Sequence, residues 1–259
     1  MSQVSSPVKV VPCLDTNEGR VVKGVNFVDL RDVGDPAEMA AAYEAAGADE
    51  LVFLDITATY EGRPTRVDLA RRTRQACTIP FAVGGGMKSI EDVSAVLDAG
   101  ADKVSLGSAA VREPRLISAV SARYGSPRLI IALDVRKTPG TADERWEVVI
   151  NGGREFTGID AVQWARKVVD LGAGAILLTS MDCDGVKGGY DIALTRAVAD
   201  AVPVPVTASG GAGNVEDFVE AVVEGHASAV LAASVFHYGE ISIREVKEAL
   251  RAAGVEVVL

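Results

Sequence analysis

Histidine and cysteine are scarce in this chain, and both shortages narrow its chemistry. His226 and His237 are the two histidines among 259 residues, too few for a histidine-rich metal site or an imidazole-based nucleophilic triad. The three cysteines, Cys13, Cys77 and Cys183, are odd in number, widely spaced and form no CxxC pair. That pattern reads as reduced thiols in a cytoplasmic protein rather than a disulfide framework. Positive charge is short as well: 26 Lys and Arg face 36 Asp and Glu, a net charge of −10. Such a balance argues against a reader of nucleic-acid phosphates. No apolar run is long enough to span a bilayer, and residues 1–7 lack the apolar segment of a signal peptide. Neither a metal nor a cofactor is expected. Small anionic substrates stay open, because helix N-termini and backbone amides bind phosphate whatever the global charge.

Hydrophobic residues make up 48% of the chain, enough for a sizeable core. Short apolar runs alternate with amphipathic helical patterns from end to end. The runs expected as strands are Lys9–Leu14, Leu51–Asp55, Pro80–Val83, Lys103–Leu106, Leu129–Asp134, Ala175–Thr179, Val204–Ala208 and Ala229–Leu231. Helices are expected near Pro36–Ala46, Arg66–Ala76, Ser89–Ala99, Pro114–Tyr124, Gly158–Leu171, Asp191–Asp200, Asn214–Glu224 and Ile243–Ala253. Pro36 and Pro114 suit a first helical turn. Ser89 and Asn214 suit N-caps, with acids just after them. Gly47, Gly100, Gly172 and Gly225 mark helix ends. Eight strand–helix units imply a parallel sheet, either a (β/α)8 TIM barrel or a doubly wound open sheet.

An internal repeat decides for the barrel. Pro80–Ser108 aligns with Pro205–Ala233 at an offset of 125, which carries Gly85-Gly86 onto Gly210-Gly211 and Glu91-Asp92 onto Glu216-Asp217. The same offset carries Gly47-Ala48 onto Gly172-Ala173, and a weaker quarter repeat links Gly47-Ala48-Asp49 to Gly100-Ala101-Asp102. The expectation is one α/β domain over residues 1–259, an eight-unit barrel of two half-barrels, about 8–126 and 127–253. Strands 1 and 5 then stand opposite each other.

Each of those two strands ends on an acid: Leu14-Asp15 and Leu133-Asp134. One such Asp is commonly a turn-former or cap. Two in half-repeat register, facing each other across the C-terminal mouth, are placed to divide acid and base work. Asp55 and Asp182/Asp184 also end strands, and Lys23 and Lys137 lie near enough in sequence to contact substrate. The runs Gly84-Gly85-Gly86 and Gly210-Gly211-Ala212-Gly213 each follow a strand and open a helix, as phosphate-cradling loops do. Strand 4 ends in Gly107-Ser108-Ala109 and strand 8 in Ala232-Ala233-Ser234, both followed by short loops. The symmetry points to a substrate with a phosphate at each end. Trp146–Ile150 with Asn151-Gly152-Gly153 reads as a hairpin over the mouth. Thr16–Asp35, with Gly19 and Gly24, reads as a mobile lid or as rigid decoration. Trp164 reads as core.

These motifs resemble a known family. Pro12-Cys13-Leu14-Asp15, Gly19-Arg20-Val21-Val22-Lys23-Gly24-Val25-Asn26-Phe27, Phe53-Leu54-Asp55-Ile56-Thr57-Ala58, Val83-Gly84-Gly85-Gly86, Leu177–Gly185, Ala208–Gly213 and Leu231–His237 are similar to the cyclase subunits of imidazole glycerol phosphate synthases. The resemblance implies a (β/α)8 lyase of histidine biosynthesis. It would use ammonia and a bisphosphorylated ribulosyl formimino-aminoimidazole carboxamide ribonucleotide. The products would be imidazole glycerol phosphate and aminoimidazole carboxamide ribonucleotide. Asp15 and Asp134 fall on that family's catalytic aspartates. Its substrate and phosphate contacts fall on Lys23, Asp55, Gly86, Ser108, Thr179, Asp184, Gly185, Ser209, Gly211, Ala233 and Ser234. The implied partner is a separate glutaminase subunit supplying ammonia through the barrel from its N-terminal face, in a heterodimer. The chain departs from the family at Gly107, usually Asn; at Ala175, usually an acid in a floor ring with Lys9, Glu50 and Lys103; and at Pro127, usually Gln. Other readings are the sister isomerase, an amidotransferase relative with another acceptor, and a non-catalytic phosphate-binding barrel. The segment Lys23–Phe27 and the Asp182–Gly185 loop favour the cyclase.

Overall fold

The structure, a computed structural model, describes residues 6–25, 28–56, 67–138 and 145–259; the side chains of residues 23–31 lie outside it. Its strands are β1 (Lys9–Asn17), β2 (Arg20–Val25), β3 (Val28–Gly34), β4 (Leu51–Asp55), β5 (Phe81–Gly84), β6 (Lys103–Leu106), β7 (Leu129–Lys137), β8 (Trp146–Ile150), β9 (Glu155–Asp160), β10 (Ala175–Ser180), β11 (Val206–Ser209) and β12 (Ala229–Ala232). Its helices are α1 (Pro36–Ala45), α2 (Val67–Ala76), α3 (Ile90–Asp98), α4 (Ser108–Arg112), α5 (Arg115–Tyr124), α6 (Ala161–Asp170), α7 (Ile192–Ala199), α8 (Val215–Val223), α9 (Ser234–His237) and α10 (Ile243–Ala252). Eight strands close a ring, β1–β4–β5–β6–β7–β10–β11–β12 and back to β1, with every neighbouring pair parallel. This is the (β/α)8 barrel, and the open doubly wound sheet is excluded by the β12–β1 closure.

Strand alternation divides the apolar residues into two layers. Outward-facing Leu14, Phe53, Phe81, Leu133, Ile176 and Leu178 pack with the helices in the main core. Inward-facing Val11, Cys13, Val52, Ala82, Ile130, Leu177, Ala229 and Leu231 form a separate cluster that fills the barrel. The same parity points Asp15 inward above Val11 and Cys13, and Asp134 inward above Ile130 and Ala132. In α6 the spacing of Ala161, Trp164, Ala165 and Val168 buries one stripe, and Asp160 caps the helix by accepting from Gln163 N at 2.9 Å.

Both repeats have atomic counterparts. Gly85 (φ +96°) sits against the Asp55 carbonyl, and Gly210 (φ +87°) sits against the carbonyl of Ser180, its repeat mate; a side chain at either would collide with that oxygen. Capping boxes close on Ser89 with Asp92 and on Asn214 with Asp217. In the quarter repeat, Asp49 accepts Val10 N at 2.8 Å and Asp102 accepts Phe81 N at 2.9 Å, each tying its own strand to the one before. Lys247 pairs with Asp49 and Arg74 with Asp102. The third copy loses its acid at Gly174, where a Cβ would collide with Ser126 O.

Four expectations need correction. The segment after strand 1 is paired backbone: β2 runs antiparallel to β1 and to β3, and Arg20 bridges to Asp32. The segments after strands 4 and 8 are the short helices α4 and α9, because Ser108 and Ser234 turn the chain at once into helical geometry. Residues 155–160 continue the β8 hairpin as β9, so the next helix starts at Ala161 rather than Gly158. Pro114 is the N-cap of α5, one residue before its first turn. Gly225 does follow the end of α8, where it allows a close approach to Ala221 O, and the left-handed residue there is His226 (φ 59°). The three cysteines are free, and Trp164 is 2% exposed. Among the described residues, no helix is long and apolar enough to cross a membrane.

Candidate functional site

The C-terminal mouth holds a pocket lined by residues from all eight barrel strands and their loops. Asp15, Asp55, Gly86, Ser108, Asp134, Thr179, Asp184, Gly185, Ser209, Gly211, Ala233 and Ser234 all line it. Of the residues singled out in the sequence, Lys23 lies on β2 by its backbone, and its side chain is outside the described part. Lys137 and Asp182 stand apart from the pocket. Asp182 accepts Lys137 N at 2.7 Å and faces Arg136 at 3.7 Å, so that acid orders the loop edge and Asp184 is the one that reaches the pocket.

Asp15 and Asp134 come from β1 and β7, four strands apart either way round the ring. They therefore face each other across its width. In-register neighbours extend each into a row. Asp15 lies beside Leu54 and then Gly84, while Asp134 lies beside Thr179 and then Ser209. Asp15 is 6% exposed, and Cys13 Sγ lies 3.7 Å from its Oδ1. Asp134 meets the pocket but is otherwise enclosed by protein. Burial, and then the charge of Asp184, push its carboxyl up to about 6. A carboxyl in that range can both hold and give up a proton near neutral pH.

The two ends of the pocket are built alike. At one end Gly85 and Gly86, both at positive φ, meet Gly107 and the start of α4. At the other, Gly210 and Gly211, also at positive φ, meet Ala233 and the start of α9. Positive φ turns successive amides toward one side, the geometry used for anions. The loops after β10 and β11 lock together through Gly189 N to Gly211 O at 2.9 Å. A side chain at Gly211 would strike Gly189 O, and one at Gly213 would strike Lys187 O. Among the described residues, no group of three or more His, Cys, Asp or Glu is arranged to hold a metal ion.

Residues 9–242 match the family described as histidine biosynthesis protein. The chain belongs to that family. Its members are histidine-biosynthesis barrels of the isomerase and cyclase type, so the mouth of this histidine-biosynthesis barrel is its candidate active site. Ser105 and Lys187 also line the pocket and were left unmarked in the sequence. Ser105 is hidden in a four-residue strand whose alternation is too short to read. Gly152, from the hairpin turn expected over the mouth, lines the pocket as well. Lys187 has φ 58° and pairs with Glu240 at 2.6 Å, a conformation and a contact that nothing local in the sequence announces.

At the opposite face of this family member a second cavity is lined by Lys9, Glu50, Lys103, Pro127 and Ala175. Glu50 is 5% exposed and accepts both lysines, Lys9 Nζ at 3.0 Å and Lys103 Nζ at 2.7 Å. Ala175 adds no charge to that floor.

Proposed function

We propose that this protein is the ammonia-dependent cyclase of histidine biosynthesis, converting the bisphosphorylated formimino ribonucleotide into imidazole glycerol phosphate and aminoimidazole carboxamide ribonucleotide. The observation that carries the reading is the pair of aspartates opposed across a mouth whose two ends repeat the same glycine-loop and short-helix construction. A substrate with a phosphate at each end would lie along that axis with its reacting centre between Asp15 and Asp134. Asp134, with its carboxyl near 6, is suited to give a proton to a leaving group and recover it at neutral pH. Asp15, facing it, is suited to the opposite transfer. Asp184 supports the cyclase over the isomerase, because it brings a further carboxylate into the pocket beside Asp134.

Gly86, Ser108 and the start of α4 would hold one phosphate. Gly185, Gly211, Ala233 and Ser234 would hold the other, with Asp55, Thr179 and Ser209 ordering the sugar between them. Ammonia would come from a separate glutaminase subunit seated on the N-terminal face, passing the Lys9–Glu50–Lys103 floor and the small inward residues Ala82 and Ala132. The test is conversion of the bisphosphate with ammonium salt, followed by product chromatography. Ammonium-dependent appearance of both products supports the cyclase. Isomerisation without ammonium consumption would assign the chain to the isomerase instead.

A further inference from the structure

At the α4 end of the pocket, the lining residues Gly85, Gly86, Gly107, Ala109 and Gly152 offer no polar side-chain atom. Among the described residues two hydroxyls lie on that side, Ser105 on β6, whose Oγ is buried without a hydrogen-bond partner, and Ser108, whose direction decides whether it can serve an anion. A hydroxyl has one proton and two lone pairs, and it rotates to suit its neighbours. Here Asn151 N donates to Ser108 Oγ at 3.0 Å, which occupies a lone pair and leaves the proton to point elsewhere.

Asn151 is itself held on several sides. Its backbone is left-handed, φ 57°, at the turn between β8 and β9. Arg112 Nη2, from α4, donates to its Oδ1 at 2.8 Å. Its Nδ2 donates to Glu155 at 2.6 Å, and its carbonyl accepts from Arg154 Nη1 at 3.1 Å. Arg112 and Glu155 lie 3.8 Å apart, so the two charges close the ring around the amide. The turn, which lines the pocket through Gly152, is therefore fixed in place. It is latched to the same short helix that begins with Ser108.

We infer that Asn151 is a positioning residue. Its side chain latches the β8–β9 turn to Arg112 and Glu155, so that its backbone N–H fixes the Ser108 hydroxyl with its proton aimed at the substrate phosphate. The inference rests on the reading of this end as a phosphate site. It adds the hairpin, an element grown from the strand that carries Asp134, to the parts that build that site.

The experiment is a double-mutant cycle read by calorimetry with the bisphosphorylated formimino ribonucleotide. Asn151→Gly keeps the N–H and the left-handed backbone while removing the latch. Ser108→Ala should weaken binding by roughly tenfold or more, as loss of a hydrogen bond to a charged group does. Asn151→Gly alone should weaken it roughly three- to tenfold, raising KM with kcat nearly unchanged, and should have almost no further effect on Ser108→Ala. Arg112→Gln, which leaves Asn151 intact but removes its charged partner, should weaken binding in the same direction by less. If Ser108→Ala weakens binding while Asn151→Gly is neutral, or the two effects add fully, the inference is overturned and the phosphate reading survives. If Ser108→Ala binds as tightly as the wild type, the phosphate reading of this end and the inference fall together.

Discussion

Asp134→Asn should make this protein more stable at the expense of its chemistry, and the gain should depend on pH. An ordinary Asp titrates near 3.8, whereas burial and Asp184 raise Asp134 to about 6. Between those values the folded chain binds more protons at this site than the unfolded chain, so stability falls as pH rises. The cost is absent below the unfolded value and complete above about pH 6 to 7. At pH 8 it amounts to about 3 kcal/mol, and at pH 5 to about 1.5 kcal/mol. The asparagine is nearly isosteric and carries no charge to bury. Its Tm at pH 8 should therefore exceed that of the wild type by about 5–10 °C for a chain of this size, with about half that gain at pH 5. Thermal unfolding followed by circular dichroism at the two pH values measures both. Equal melting at pH 8, or a gain that is the same at pH 5, would refute the claim that this carboxylate is held at an energetic disadvantage.

Other consequences follow from the same structure. Asp184→Asn removes the charge that helps raise Asp134, the proton donor, so the alkaline limb of the rate profile, expected near pH 6, should move to lower pH while the fold is retained; a pH series of kcat/KM reads this. Lys247 is 4% exposed and bonds to both Asp49 and the Val258 carbonyl at 2.7 Å. Lys247→Met strands Asp49 and should cost about 3–5 kcal/mol in urea denaturation, with kcat preserved in the folded fraction. Gly85→Ala and Gly107→Ala form a contrasting pair. The first puts a Cβ into the Asp55 carbonyl at φ +96° and should cost about 2 kcal/mol or more, while the second has its nearest neighbour at 3.7 Å and should stay within about 1 kcal/mol.

The barrel was readable because its repeats have physical causes that leave marks on single residues. Gly85 and Gly210 recur since each must clear the carbonyl of the neighbouring strand, and Asp49 and Asp102 recur since each ties an adjacent strand's amide. Asp15 and Asp134 were singled out as the ends of corresponding strands of the two half-barrels, at an offset of 119 rather than 125, and the pocket gathers nearly all the residues named with them. The misses share another character. The helices α4 and α9 are too short for a 3.6-residue pattern to show, while β2 owes its form to pairing along an extended β1 and β3 to pairing along β2. Lys187 is held by a contact across 53 residues and Ser105 reaches the pocket through barrel closure, neither of which local spacing records. Choosing between cyclase and isomerase is harder still, because opposed aspartates and paired phosphate ends serve either reaction.

The central claim is most directly tested by ammonium-dependent formation of imidazole glycerol phosphate from the bisphosphate by the wild type, Asp15→Asn and Asp134→Asn, each shown to be folded. Turnover by the wild type is expected, with both products released in equal amounts, and a loss of at least about a hundredfold in kcat for each variant. Near wild-type turnover by either variant would contradict the claim.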